Sequence, residues 1–180
     1  MQQLIFQQVR NELVNGSVKK GHPFKYFAFG TVENNNPCLR TVVLRKVAPD
    51  MTLLFYTDER SKKVIQVQNE NRVSALFYHP KKLIQVQIEG HAHIQENPEI
   101  LRQIWQNIPP SSKKDYTSVV PPGLPINGPE NVEYLSDQHH FCMIEIVPQR
   151  IEYLRLARPN HIRMEFIKKN NDWVGSFLAP

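Results

Sequence analysis

Apolar residues along this chain fall mostly into short alternating runs. In an extended backbone Ile84, Val86 and Ile88 point one way, and Gln85, Gln87 and Glu89 the other. The same reading predicts strands over 26–32, 39–47, 52–57, 72–78, 83–94, 141–147, 152–156, 163–168 and 173–178. Turn residues separate them, at Asn34-Asn35-Asn36-Pro37, Pro49-Asp50 and His79-Pro80-Lys81-Lys82. Three segments carry helical spacing. Residues 2–14 place Leu4 or Ile5, Val9 and Leu13 near one face, and Asn15-Gly16 supplies a stop. Residues 61–69 begin at Ser61, a good N-cap, and residues 97–106 begin with Asn97 as cap, Pro98 next and Glu99 in the first turn. The proline-rich stretch 108–129 reads as an extended loop. Many short strands with few helices predict a mainly β barrel with peripheral helices, as one domain over 1–180. Strands and helices do not alternate, and neither GxGxxG nor GxxxxGK[ST] occurs, so a doubly wound parallel sheet is not expected.

Bulk composition adds modest limits. With 41% hydrophobic and 22% charged residues the chain is of ordinary globular type. No apolar run approaches the roughly 18–20 residues of a membrane-spanning helix. The N-terminal residues lack the basic start and apolar middle of a secretion signal, so a cytoplasmic location is expected and no membrane partner. Cys38 and Cys142 are too few for a disulfide framework and read as free thiols. The net charge of +5 suits a polyanion or a phosphorylated small molecule, and does not choose between them.

One stretch is chemically unusual. Arg40 and Arg45 lie on an otherwise apolar strand, the next strand ends in Tyr56-Thr57, and Ser61-Lys62-Lys63 follow at a helix start. Short turns bring these groups together. A phosphate monoester is held by such donors: guanidinium forks, an ammonium, hydroxyls and free N–H groups. A solvated edge strand with ordinary surface bases fits the same residues, so the sequence chemistry leaves both open.

At these residues the chain resembles the pyridoxamine 5'-phosphate oxidase-like FMN-binding family, as a divergent subgroup. Arg40-Thr41-Val42-Val43-Leu44-Arg45 is similar to the family's first flavin strand, with Arg45 where the oxidase usually has Lys. Tyr56-Thr57, Ser61-Lys62-Lys63, Asn71-Arg72-Val73-Ser74 and Gln85-Val86-Gln87-Ile88-Glu89-Gly90 follow in the family's order. His161-x-Arg163, then Trp173 and Leu178-Ala179-Pro180, match its C-terminal pattern. The resemblance implies an FMN-binding split β-barrel homodimer with each flavin held by both subunits. It places Arg40 and Lys63 on the FMN phosphate with Ser61 and Lys62 nearby. Thr41, Val42, Val43, Tyr56 and Thr57 would line the flavin, Arg45 and Gln85 would approach the ring edge, and Tyr153 and Arg163 would arrive from the partner. His161 is the candidate for positioning a substrate or transferring a proton.

The pattern also departs from the oxidase. Where that enzyme grips its substrate phosphate with a Tyr and an Arg, this chain has Ile104 and Ile108, and only Ser112 remains as a candidate substrate contact. Pro159 stands where the oxidase has a further Arg. An apolar residue cannot replace a cation facing a phosphate dianion, so a different small-molecule substrate is expected. The expected activity is that of an FMN-dependent oxidoreductase; the alternative is a flavin carrier or sensor without turnover. Nucleic-acid binding is not expected, because Tyr56, Phe77 and Tyr78 lie in strands read as core. His91, His93 and His139-His140 read as solvent-facing imidazoles without a metal, Trp105 and Trp173 as packing residues, and Glu89, Glu96, Glu99 and Glu152 as solvated carboxylates.

Overall fold

The structure, a computed structural model, describes residues 1–170 and 172–180. Its strands are β1 (Tyr26–Glu33), β2 (Asn36–Val47), β3 (Leu53–Asp58), β4 (Arg72–His79), β5 (Ile84–Ile94), β6 (Phe141–Arg155), β7 (Ile162–Lys169) and β8 (Asp172–Leu178). The main helices are α1 (Gln2–Val18), α2 (Lys62–Asn69) and α3 (Pro98–Asn107), with a single-turn α4 (Pro110–Lys113). All strand pairs are antiparallel, in the order β3-β2-β1-β4-β5-β6-β7-β8. β3 also pairs with β6, so β1 to β6 close into a ring and β7 and β8 run off it.

Strand alternation accounts for the core. Along β5 the apolar Ile84, Val86 and Ile88 turn inward while Gln85, Gln87 and Glu89 turn outward. Phe27, Phe29, Phe55 and Phe77 meet inside the ring, with Phe27 stacked on Phe77 at 4.7 Å between centroids. Burying such side chains is the main stabilising contribution. The β1–β2 hairpin turns at Asn34 and Asn35, whose φ values of 51° and 63° suit the tight turn that Asn tolerates. Helix α1 lays Ile5, Val9 and Leu13 into the main core, and Phe6 packs on Phe166 and Trp173. Helix α3 packs against β6, where Ile108, Tyr116, Phe141 and Met143 form a second, smaller core.

Several expectations change. Asn15-Gly16 does not end α1, which continues to Val18. Gly16 instead sits under the following turn, where an added Cβ would stand 2.7 Å from the Phe24 Cβ and carbonyl oxygen. The segments 141–147 and 152–156 form a single strand, β6, that runs through Pro148. Pro148 pairs with Gly90 at a bulge, where a missing N–H is tolerated and an added Cβ at Gly90 would meet the Val147 carbonyl oxygen at 2.2 Å. The 108–129 stretch contains α4 and a 3-10 turn at Lys114–Tyr116. Tyr78 is not core: it stands 50% exposed on the outer face of β4. No described helix is long and apolar enough to cross a membrane.

A polar cluster fixes α1 to the sheet. Buried Glu12 faces His22 and His79, with its Oε2 at 3.3 Å and 4.0 Å from their Nε2 atoms, and Lys82 bonds its other oxygen. The trio has the composition of a metal site. Both imidazoles, however, accept a main-chain N–H at Nδ1, from Phe24 and Lys82. Their protons therefore reside on Nε2, the ring nitrogen nearer the carboxylate, where a metal would need lone pairs, although Glu12 Oε2 completes no hydrogen bond with either ring. The cluster is a buried carboxylate that accepts from Lys82 and lies beside two imidazoles.

Candidate functional site

Arg40 lies on the inward side of β2 beyond Val42 and Leu44, where the strand reaches the edge of the core. Its Nη1 donates to Thr31 Oγ1 at 2.6 Å and to the carbonyls of Cys38 and Phe29, and its Nη2 donates to Gln66 Oε1 at 2.7 Å. Gln66, from α2, also accepts from the Thr31 hydroxyl. These bonds fix the guanidinium in one orientation. The next strand and helix bring up the rest of the group. Lys63 Nζ donates to Thr57 Oγ1 at 3.0 Å, and Thr57 and Ser61 share a hydrogen bond of 3.2 Å. Ser61 is the N-cap of α2, yet its hydroxyl makes no cap bond and turns to Thr57 instead.

The electrostatics of this group are one-sided. Burial lowers the pKa of Lys63, and the nearby charge of Arg40 lowers it further. Asp58 pulls the other way, but its carboxylate is engaged by Arg60, whose nitrogens lie 2.7–3.0 Å away. Among the described residues neither Arg40 nor Lys63 has a carboxylate in ion-pair range. Two neighbouring cations and two hydroxyls without an anion are donors of the chemistry that a phosphoryl dianion requires. Lys62 points away into solvent.

A second group lies on the outer face. Thr41, Val43 and Arg45 alternate with the inward residues of β2, and a register shift between Leu44 and Lys46 marks a bulge at Arg45. The Arg45 guanidinium lies over the Tyr56 ring at 5.4 Å. Together with Ile104, Asn107, Ile108 and Ser112 these two residues border a cavity of about 330 Å³ between the sheet and α3. Burial raises the pKa values of Tyr56 and Tyr116 against a smaller opposing effect of Arg45, so both phenols keep their protons near neutrality. Trp105, as expected, is a packing residue, against Phe141 and His139.

The remaining predicted residues are placed elsewhere. Val42 is 8% exposed and belongs to the main core. Tyr153 is 1% exposed, packed in the core with its hydroxyl donating to Gln8, so its ring is not presented to a partner's cofactor. Gln85 is on the outer face of β5, which is separated from β2 by β1 and β4, about 14 Å of sheet. A single chain therefore does not bring it to Arg45. Arg163 bonds Glu152 at 2.9 Å, within a ladder where Arg150 also binds Glu89, Glu152 and Glu165. Glu152 is buried rather than solvated: burial pushes its carboxyl up, but the hydrogen bonds from Arg150 and Arg163 outweigh this and hold it low. His161 is exposed, and its Nδ1 accepts from the Ala157 N–H across the turn into β7. The sequence reading passed over Thr31, Gln66 and Tyr116. Only Gln66 carries a signal, as a polar residue one helical turn after Lys63.

Residues 2–96 match the family model described as pyridoxamine 5'-phosphate oxidase, FMN-binding domain. In structure the chain is similar to a pyridoxamine 5'-phosphate oxidase-related, FMN binding protein from Nostoc punctiforme PCC 73102. The two share 21% identity over 97% of this chain and 96% of that one, with a TM-score of 0.78. It is also similar to PhzG from Burkholderia lata 383, solved in complex with tetrahydrophenazine-1-carboxylic acid. There the identity is 18% over 98% of this chain and 92% of that one, with a TM-score of 0.79. No curated protein matches the chain in sequence.

Proposed function

The chain belongs to the pyridoxamine 5'-phosphate oxidase FMN-binding family, whose cofactor is FMN, and on that premise we propose that it is a homodimeric FMN-dependent oxidoreductase with a substrate other than pyridoxine 5'-phosphate. The observation that carries the reading is the group of Arg40, Thr57, Ser61 and Lys63, two cations and two hydroxyls with no carboxylate of their own. The donor set fits the terminal phosphate of FMN, with Lys63 and the hydroxyls turning to the ligand and Arg40 adding a fixed charge. When bound, FMN supplies hydride and single-electron transfer, and the protein supplies binding and orientation. Thr41, Val43, Tyr56 and Arg45 provide the outer surface against which the ring system lies. Gln85 and Arg163, remote from that surface in one chain, reach it from a second copy in a split-barrel dimer. His161, exposed beside Arg163, comes with them and is a proton carrier for the reaction.

The substrate side argues against a phosphate ester. Ile104 and Ile108 border the cavity beside Arg45 and present hydrocarbon where a dianion needs charge. The same observation favours a second reading, a flavin carrier or sensor that does not turn over. Absorbance of the purified chain, before and after adding FMN, is the first test: a flavin spectrum with about one FMN per chain is expected. A colourless chain that takes up no FMN contradicts the proposal. Anaerobic mixing with NADH, NADPH or candidate substrates then separates the readings, since an oxidoreductase bleaches at 450 nm, roughly the flavin maximum, and a carrier stays oxidised.

A further inference from the structure

We propose that Arg60 is a positioning residue for the phosphoryl group: it neutralises the buried Asp58 carboxylate near Lys63 and so keeps Lys63 free for an anion. The inference deepens the FMN reading and rests on it only in calling that anion the cofactor phosphate. Asp58 ends β3, one residue after Thr57, and is 3% exposed. Burial and then Arg40 lower the pKa of Lys63, while Asp58 and Cys142 act in the opposite sense. Burial pushes the Cys142 thiol up to about 11, so it stays uncharged near neutrality and Asp58 is left as the anion that acts on Lys63. A carboxylate so placed works against a phosphoryl dianion in two ways. It repels the dianion, and it attracts Lys63 to itself.

Arg60 claims both oxygens of Asp58. Oδ1 accepts from the Arg60 main-chain N–H at 2.8 Å and from Nε at 3.0 Å, and Oδ2 accepts from Nη2 at 2.7 Å. This is the side-on fork of a strong Arg–carboxylate pair, which a lysine cannot form. The chain beyond the 3-10 turn holds the guanidinium from its other side. Nη2 donates to the Ser118 carbonyl at 2.7 Å and Nη1 to the Val119 carbonyl at 3.0 Å. Four of the five guanidinium N–H groups are thus engaged, and Arg60 is not free to swing onto a ligand although Ser61 follows it. The other carboxylate of this turn, Glu59, is exposed and shares a hydrogen bond of 2.9 Å with His140 Nδ1. Removing Arg60 alone unmasks the charge of Asp58. Removing both charges together leaves the net charge of the turn as it was. The effect of the pair on an anion is therefore separable from its effect on the fold.

The test compares the full wild-type chain with Arg60→Gln and with the double variant Asp58→Asn/Arg60→Gln, each checked for fold by circular dichroism. FMN and riboflavin are titrated by quenching of flavin fluorescence. Arg60→Gln is expected to lose FMN affinity by about tenfold or more, the scale of one unmasked charge near the ligand. Riboflavin has no phosphate and should bind the variant as it binds wild type. The double variant should regain the wild-type FMN affinity. A second readout needs no flavin: NMR of isotope-labelled lysine side chains, with the Lys63 signal assigned by its absence in Lys63→Met. That signal should titrate at higher pH in Arg60→Gln and return in the double variant. A single variant that matches wild type in either readout overturns the inference. So does a double variant no better than the single, a result that assigns Arg60 to holding the 118–119 segment instead. Should Arg60→Gln fail to fold, the double variant, which buries no unpaired carboxylate, decides: wild-type FMN affinity excludes Arg60 as a ligand or anchor and leaves charge masking, and a loss refutes it. Wild-type protein that takes up no FMN refutes the cofactor reading, and the lysine titration then decides this inference alone.

Discussion

Lys63 is held in place against its own charge. Its amine is partly buried, hydrogen-bonded only to a hydroxyl, and repelled by Arg40. Such a residue is a net cost to the empty protein and becomes favourable when an anion arrives. Lys63→Met removes the charge and keeps much of the side-chain volume. The expected result is a melting temperature at least equal to that of the parent in the absence of FMN. FMN affinity should fall by about 10- to 100-fold, the scale of one lost charge-assisted hydrogen bond, as read by quenching of flavin fluorescence. A fall in stability with unchanged flavin affinity would place Lys63 in a purely structural role. At this scale the sequence was legible where chemistry is local: Ser61, Lys62 and Lys63 follow one another, and their types made them candidates for an anion site beside the plainer reading of surface bases. It was less legible where burial decides. Val42 and Tyr153 carry no mark that separates a core residue from a flavin contact, and only packing sends them inward.

Helix α1 shows how an element is joined to the sheet by more than its apolar stripe. Glu12 on the helix, His22 in the following turn, His79 at the end of β4 and Lys82 in the β4–β5 turn share one buried contact. Burial lowers the pKa of His22 from its ordinary 6.5, with His79 and Lys82 adding to the effect and Glu12 opposing it. A histidine lowered on folding binds protons more readily in the unfolded chain, so acid favours unfolding. The contribution is fully present above pH 6.5 and is lost as pH falls through the lower folded value. Denaturant midpoints measured from pH 7.5 down to 5 should decline. His22→Asn should reduce the slope without abolishing it, since burial also lowers His139. A slope unchanged in that variant would show that the cluster does not couple α1 to protonation. The stripe of Ile5, Val9 and Leu13 was readable from periodicity, but the length of the helix was not. Asn-Gly is a local stop signal, and the contact with Phe24 that overrides it lies across the fold.

At the scale of the molecule, the ring leaves an apolar outer surface. Leu39, Tyr26, Leu76 and Tyr78, on β2, β1 and β4, are 75%, 61%, 39% and 50% exposed. Contiguous apolar surface of this kind marks an association face, and the proposed flavin site needs a second chain to bring Gln85 and Arg163 to it. Light scattering of the purified protein is expected to give twice the chain mass. Tyr78→Glu puts a charge into the face and should shift the mass toward one chain, with lower flavin occupancy and an unchanged circular dichroism spectrum. A variant that remains dimeric and fully loaded would locate the interface elsewhere.

Strand alternation and turn residues are written in consecutive positions, so the sequence alone determined a mainly β chain and most of its strands, and it placed a run of basic and hydroxyl residues after β3. The continuity of β6 through Pro148, the closure of β3 on β6, the burial of Glu152 between two arginines and the bonds of Arg60 to the Ser118 and Val119 carbonyls depend on residues far apart in the chain. These were decided only by tertiary structure, because pairing, desolvation and charge balance are properties of neighbours in space and have no local signature in sequence.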